Sequence, residues 1–423
     1  MKQTFFRVAG VLALLSATAE ASAEPLSNPN QFTQRLTSSA GDSFNTQTWE
    51  TSGKEVTPDC PVAWSVRKFP LHGGKQEGVD VVVLDNGKLK ITIIPTRGMG
   101  IFSVVCGDVR LGWDSPVKEI VNPVHINLQS RGGLGWLEGF NEWFVRCGLE
   151  FNGHPGTDKF INNVGEEATM ELTLHGKIQN TPASEVEVAV ERKAPYRIHV
   201  RGRVDERMFY GPKLALWTDV STEPGSTQFR VDDVITNQGA DNQEFEVLYH
   251  TNYGTPLLEE GSTVLVPAER IMPFNANAAK EMKDYAHYAG PQDGFIEQVY
   301  CVFPRADKAG RTLAMLENRQ KDRAISLTWS TSELPYFTIW KNTTALADGY
   351  VTGLEPGTGF AWNRRIEREA GRVPKLAAGA SRHMAIDFAI HVGVESVKQA
   401  ADAVAAIQGA HPPVLDEAAP KGE

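Results

Sequence analysis

Most signatures of metal and nucleotide chemistry are missing from this sequence. Its four cysteines, Cys60, Cys106, Cys147 and Cys301, are widely spaced. They form no Cys-x-x-Cys and have no histidine at zinc-ligand distance, which argues against a structural zinc site. No Gly-Lys-Ser/Thr follows the glycine-rich stretch near residue 130, so a phosphate-cradling loop is rejected. No Lys/Arg block occurs in a chain of net charge -10 and pI near 5.6. Nucleic-acid binding, which needs a clustered basic surface, is therefore disfavoured. Beyond the first residues nothing approaches the roughly 18 uninterrupted apolar residues of a membrane span.

The start of the chain carries an address. Lys2 and Arg7 precede an apolar stretch from Val8 to Leu15, and small residues follow, ending Ala21-Ser-Ala23. This is the pattern of a secretory signal peptide over 1–23, cut after Ala23, and it predicts a periplasmic or secreted protein. An oxidising compartment would permit one or two disulfides among the four cysteines, with buried free thiols as the equal alternative.

Short β-rich runs dominate what remains. They include 79–84, 89–94, 101–105, 185–190, 197–204, 213–217, 228–231, 245–249, 324–329 and 336–340. Asp85-Asn-Gly87 joins the first two as a hairpin, because Asn-Gly readily takes the positive φ angles of a tight turn. One helix is expected from Val394 to Ile407, with Val394, Val397, Ala401, Val404 and Ile407 near one face and Gly409 as its stop. The pattern predicts an all-β fold of large antiparallel sheets with few short helices. Its expected divisions are an N-terminal extension over 24–60, one β domain over 61–408 and a disordered tail over 409–423.

Three islands carry chemistry. His250 lies in Tyr249-His-Thr-Asn-Tyr-Gly254, Glu355 in Gly353-Leu-Glu-Pro-Gly357 and His175 in Leu174-His-Gly176. Each of the first two closes an apolar run and opens a Gly/Pro turn, which predicts side chains at the rim of a sheet. A near-neutral histidine and a partly desolvated carboxylate suit proton transfer. The bland alternatives are a hydrogen-bonded core histidine and a turn carboxylate bonding backbone amides. Gly176 allows another group to approach the backbone beside His175. His72, in Leu71-His-Gly-Gly74, reads as a surface residue.

The segment Ser130-Arg-Gly-Gly-Leu-Gly-Trp-Leu-Glu-Gly-Phe140 adds Arg131, Trp136 and Phe140 among glycines. Aromatic faces beside a few polar groups suit a sugar, whose C–H faces lie on rings while its hydroxyls seek partners. Arg97, in Thr96-Arg-Gly-Met-Gly100, is a hydroxyl or carboxylate clamp or, alternatively, an ion-paired turn residue.

In their order and spacing, Pro95–Ile101, Cys147–Leu149, Leu174–Gly176 with Pro182-Ala183, Tyr249–Gly254, Trp340-Lys341 and Gly353–Pro356 resemble the galactose mutarotase-like superfamily. The closest branch is the aldose 1-epimerase-like one of DUF4432 type. The resemblance implies a β-supersandwich with a sugar cleft on a concave face, and aldose mutarotation of a monosaccharide or related carbohydrate without metal or cofactor. It implies that Glu355 withdraws the anomeric hydroxyl proton, that His250 protonates the ring oxygen, and that His175 orients or stabilises charge. The Gly-Asp-His-type loop that binds hydroxyls in well-known mutarotases is absent here. Arg97, Arg131, Asn252 and Lys341 are expected to bind hydroxyls instead, with Trp136 and Trp340 stacking on the ring.

Two other functions fit the same sandwich. One is a non-catalytic carbohydrate-binding protein. The other is glycan cleavage, which for hydrolysis wants a second carboxylate about 5 to 10 Å from the first. Asp219, Glu223 and Glu138 are available for it. Convergence of His175, His250 and Glu355 on one concave cleft is the structural condition the catalytic assignment has to meet.

Overall fold

The computed structural model describes residues 30–420. The expected leader over 1–23 and its cleavage point therefore lie outside the described residues. Two large sheets dominate, one of thirteen strands and one of ten, built almost wholly from antiparallel pairs. No helix among the described residues is long and apolar enough to cross a membrane.

All ten of the β-rich runs become strands, and the apolar side of their alternation decides where they pack. In Gln228–Asn237, Phe229, Val231, Asp233 and Ile235 are buried while Arg230, Asp232 and Val234 are partly exposed. Leu214, Leu216 and Val220 from the ten-stranded sheet join Ile91, Ile93, Val247, Tyr249 and Ile339 from the thirteen-stranded sheet in one continuous core between the sheets. The hairpin at Asp85-Asn-Gly87 forms as expected. Asn86 Oδ1 accepts from the Lys88 and Leu89 amides, and Gly87 takes φ 90°.

The middle of the thirteen-stranded sheet runs through Gln298–Pro304, Tyr336–Asn342, Val351–Gly357, Glu246–Tyr253 and Phe144–Leu149, in that order of pairing. Because successive side chains alternate faces, Tyr249 points into the core and His250 to the opposite face. That opposite face has its own apolar cluster, which includes Val145, Cys147, Leu248, Cys301, Trp136 and Phe140.

The sheets are also tied by charge. Asp233 occupies a core position in an otherwise apolar alternation, and Arg146 reaches it from the other sheet with Nε–Oδ2 2.5 Å and Nη2–Oδ1 2.9 Å. Thr218 and the carbonyls of Gly98 and Met99 take further guanidinium hydrogens. Tyr249 donates its hydroxyl to the same carboxylate at 2.9 Å. The strand that carries His250 is thus fixed from behind.

Three expectations are corrected, and of the two readings of the cysteines the free-thiol one holds. Residues 24–60 are not a separate extension. Gln31–Ser38 pairs with Glu185–Glu191 inside the ten-stranded sheet, and Trp49–Ser52 pairs with Ser65–Pro70 in the other. Leu36 is a core residue despite its polar neighbours, and ladder hydrogen bonds hold the rest. The 409–423 tail is ordered in part, since Val414–Leu415 pairs with Ala268–Pro273 and Asp416 bonds Arg270. The helix forms over Val394–Gln408 with Val397, Ala400 and Val404 buried, but Val394 itself is exposed. All four cysteines are free thiols, three of them buried.

Candidate active site

His250 and Glu355 are brought together by strand register. Glu246–Tyr253 and Val351–Gly357 pair with Thr251 against Leu354 and Leu248 against Gly357, which sets His250 opposite Glu355. Neighbouring pairs extend the row, with Val145 beyond His250 and Thr338, then Cys301, beyond Glu355. Across it His250 Nε2 and Glu355 Oε1 stand 3.2 Å apart. The expected rim position is thereby corrected. Both residues sit inside central strands and project from the sheet's face, because Gly353, Pro356 and Gly357 are strand positions and the strand of His250 runs on to Tyr253.

Gly353 makes room for the pair. A side chain there would run into Glu355 Oε1 and lie 3.1 Å from His250 Cε1. One strand position before Glu355 on the same face, glycine leaves the floor open where any other residue would fill it.

His175 arrives from a loop. It follows Glu167–Leu172 and takes φ 57°, a left-handed conformation uncommon outside glycine and held here by its surroundings. Its carbonyl accepts from the Gly148 amide, and the Gly148 carbonyl accepts from the Lys177 amide, both at 3.0 Å. Gly176 meets Gly148 and Phe151 backbone so closely that a Cβ has no space, as anticipated for that glycine. Asn152 Oδ1 lies 3.4 Å from His175 Nδ1. The His175 and His250 rings are 5.6 Å apart at their centroids, so the three titratable groups converge.

Aromatic rings close around them. Trp136 lies 4.8 Å from His175 and 4.7 Å from Phe140, and Phe140 lies 5.4 Å from His250. On the other side Trp340 is 5.3 Å from His250. His250 is 5 % exposed and Glu355 2 %. Burial raises the Glu355 carboxyl well above its ordinary value, and the negative charge of Glu297 adds to this. Burial lowers the His250 imidazole to about 3, with the Asn252 side chain opposing the shift. His175 is likewise held well below the usual range by burial, and then by His250 and His154. The buried Nε1 of Trp136, Oγ1 of Thr338 and Oδ1 of Asn252 have no hydrogen-bond partner in the protein. A ligand rich in hydroxyls would satisfy such atoms.

The expected hydroxyl binders divide. Arg97 is buried and engaged by Glu142, Val121, Gly139 and Asn180. Its ion-paired alternative holds, and it supports the Gly135–Gly139 segment instead of meeting substrate. Lys341 follows Trp340 on the strand and so faces the core, where its ammonium bonds the Asp284 and His287 carbonyls. Burial lowers it to about 8. Asn252 donates to the carbonyls of Glu142 and His250 and stands beside His250. Arg131 is exposed at φ 51°. Trp136 and Trp340 stand on either side of His250 as wall residues. His72 is exposed and bonds Glu77.

Asn152, Thr338 and Glu297 were not anticipated. The Asn152-Gly153 dipeptide was the one available signal, whereas Thr338 and Glu297 depend on strand register alone. The carboxylates considered for glycan cleavage lie elsewhere. Asp219 pairs with His199 and Arg201, Glu223 pairs with Arg197, and Glu138 is exposed. Among the described residues no cluster of His, Cys, Asp and Glu has the arrangement of a metal site.

Comparison with known proteins agrees with this architecture. The model of the DUF4432 family, a domain of unknown function, matches residues 76–390. A solved protein from Klebsiella pneumoniae, described as a candidate aldose 1-epimerase, is 40% identical with a TM-score of 0.87, covering 93% of this chain and 100% of that one. A galactose mutarotase-like protein from Clostridium acetobutylicum is 15% identical with a TM-score of 0.55, over 82% of this chain and 100% of that one. That second likeness is one of fold. No curated protein matches the chain.

Proposed function

The chain belongs to the DUF4432 family, and from that premise we propose that it is an exported aldose 1-epimerase-type enzyme acting on a free sugar. The observation that carries this reading is the buried His250–Glu355 pair, 3.2 Å between Nε2 and Oε1, with the His175 ring 5.6 Å from that of His250.

Mutarotation needs a proton removed from the anomeric hydroxyl and one delivered to the ring oxygen, so that the ring opens, turns about C1–C2 and closes. Glu355 as carboxylate takes the first, and His250 as imidazolium gives the second. That charged arrangement holds the same number of protons as the neutral acid and imidazole favoured by burial. It is reached by passing one proton between the two partners. A bound sugar favours it by offering hydrogen bonds to both. His175, fixed through Asn152, faces the same ring and orients it. Trp136, Phe140 and Trp340 supply the apolar wall.

The test is polarimetry on freshly dissolved single anomers of a panel of hexoses and pentoses. The reading expects faster equilibration with protein for at least one sugar. Rates equal to buffer for every sugar would overturn it. Saturable binding that survives loss of both His250 and Glu355 without turnover would mark a binding protein instead. Export is tested by whether mature protein recovered from the native host begins at Glu24.

A further inference from the structure

Trp340 forms one wall of the site, its ring 5.3 Å from His250 and 6.1 Å from Phe140. Its indole Nε1 donates at 2.8 Å to Oε2 of Glu297. Glu297 immediately precedes the strand Gln298–Pro304, whose Val299 pairs with Trp340. It is exposed, and among the described residues no lysine or arginine pairs with it. Its charge also bears on Glu355. The two cations expected at the site are turned away, Arg97 toward Glu142 and Lys341 toward the core.

We propose that Glu297 is a substrate-binding, specificity-determining residue. Oriented by Trp340, it accepts hydrogen bonds from hydroxyls of an uncharged sugar and repels anionic sugars such as hexose phosphates. This rests on the mutarotase reading of the same site. A carboxylate accepts from two hydroxyls at once, and charge-assisted bonds of this kind outweigh neutral ones. A second negative charge brought beside Glu297 and Glu355 meets their repulsion.

The experiment follows mutarotation of free hexoses and their 6-phosphates with wild type, Glu297→Gln and Trp340→Phe. Gln keeps an oxygen to accept from the indole, so the wall stays in place. KM for the free sugar is expected to rise about tenfold or more in Glu297→Gln, with a smaller change in kcat. The preference for free sugar over its phosphate should narrow, and the alkaline limb set by Glu355 should move to lower pH. Trp340→Phe should raise KM in the same direction. An unchanged KM with unchanged discrimination in Glu297→Gln overturns the proposal. If wild type turns over no sugar, the same comparison is made on Kd from tryptophan fluorescence. Weaker binding by Glu297→Gln then supports the Glu297 assignment although the mutarotase reading has failed, and equal binding, or none by either protein, overturns it.

Discussion

His250 and Glu355 face each other across adjacent antiparallel strands with 3.2 Å between imidazole and carboxyl. Opposite shifts of the two groups, His250 downward and Glu355 upward, follow from one cause, burial. The pair keeps a single transferable proton over a wide pH range, and its apparent pKa values belong to the couple and not to either residue.

A flat pH profile follows. Losing activity on the acid side requires protonating His250 while Glu355 is still neutral, near pH 3. Losing it on the alkaline side requires removing the shared proton, which the raised Glu355 resists. Polarimetric kcat should therefore hold a plateau from about pH 5 through neutrality. A limb centred near 6.5, as for an exposed histidine, would contradict the burial argument.

Gly353 should be intolerant of any side chain. Ala at this position has to displace the Glu355 carboxylate, the mobile end of a side chain, so the fold persists while the geometry fails. Gly353→Ala should lower kcat about 10²-fold, the order expected for a misplacement of about 1 Å. Thermal unfolding should shift little. Near-wild-type kcat would show that the pair has slack that the packing denies.

The tie behind the site should be measurable as stability. Arg146→Met leaves Asp233 buried and unpaired, at a cost of about 3–5 kcal/mol in urea unfolding. Replacing both partners, Arg146→Met with Asp233→Leu, should recover much of the loss, because no buried charge remains. A single-variant cost below about 1 kcal/mol would mean that the sheets do not depend on this pair.

How much of this was legible in the sequence varies with the physics involved. Strands with apolar alternation, such as Gln228–Asn237, were visible because burial of one face writes a period of two. Gln31–Ser38 was not, since backbone hydrogen bonds to its partner strand hold it and its own residues carry little apolar pattern. The three titratable site residues were found from local context and family resemblance, but their placement on a face was not. Gly353, Pro356 and Gly357 look like a turn, and only pairing to Tyr336–Asn342 and Glu246–Tyr253 makes them strand. Arg97 and Lys341 show the converse failure. Both carry the right chemistry for a sugar site, yet alternation and a buried carboxylate direct them elsewhere.

The central claim is that Glu355 and His250 move protons at a sugar ring. Two-dimensional exchange NMR at equilibrium reads anomer interconversion directly, on a sugar that wild type accepts. Wild type should produce exchange well above buffer, and Glu355→Gln and His250→Asn should each lose about 10²-fold or more of it, with the double variant losing little beyond either single one. Exchange by Glu355→Gln at the wild-type rate would contradict the account.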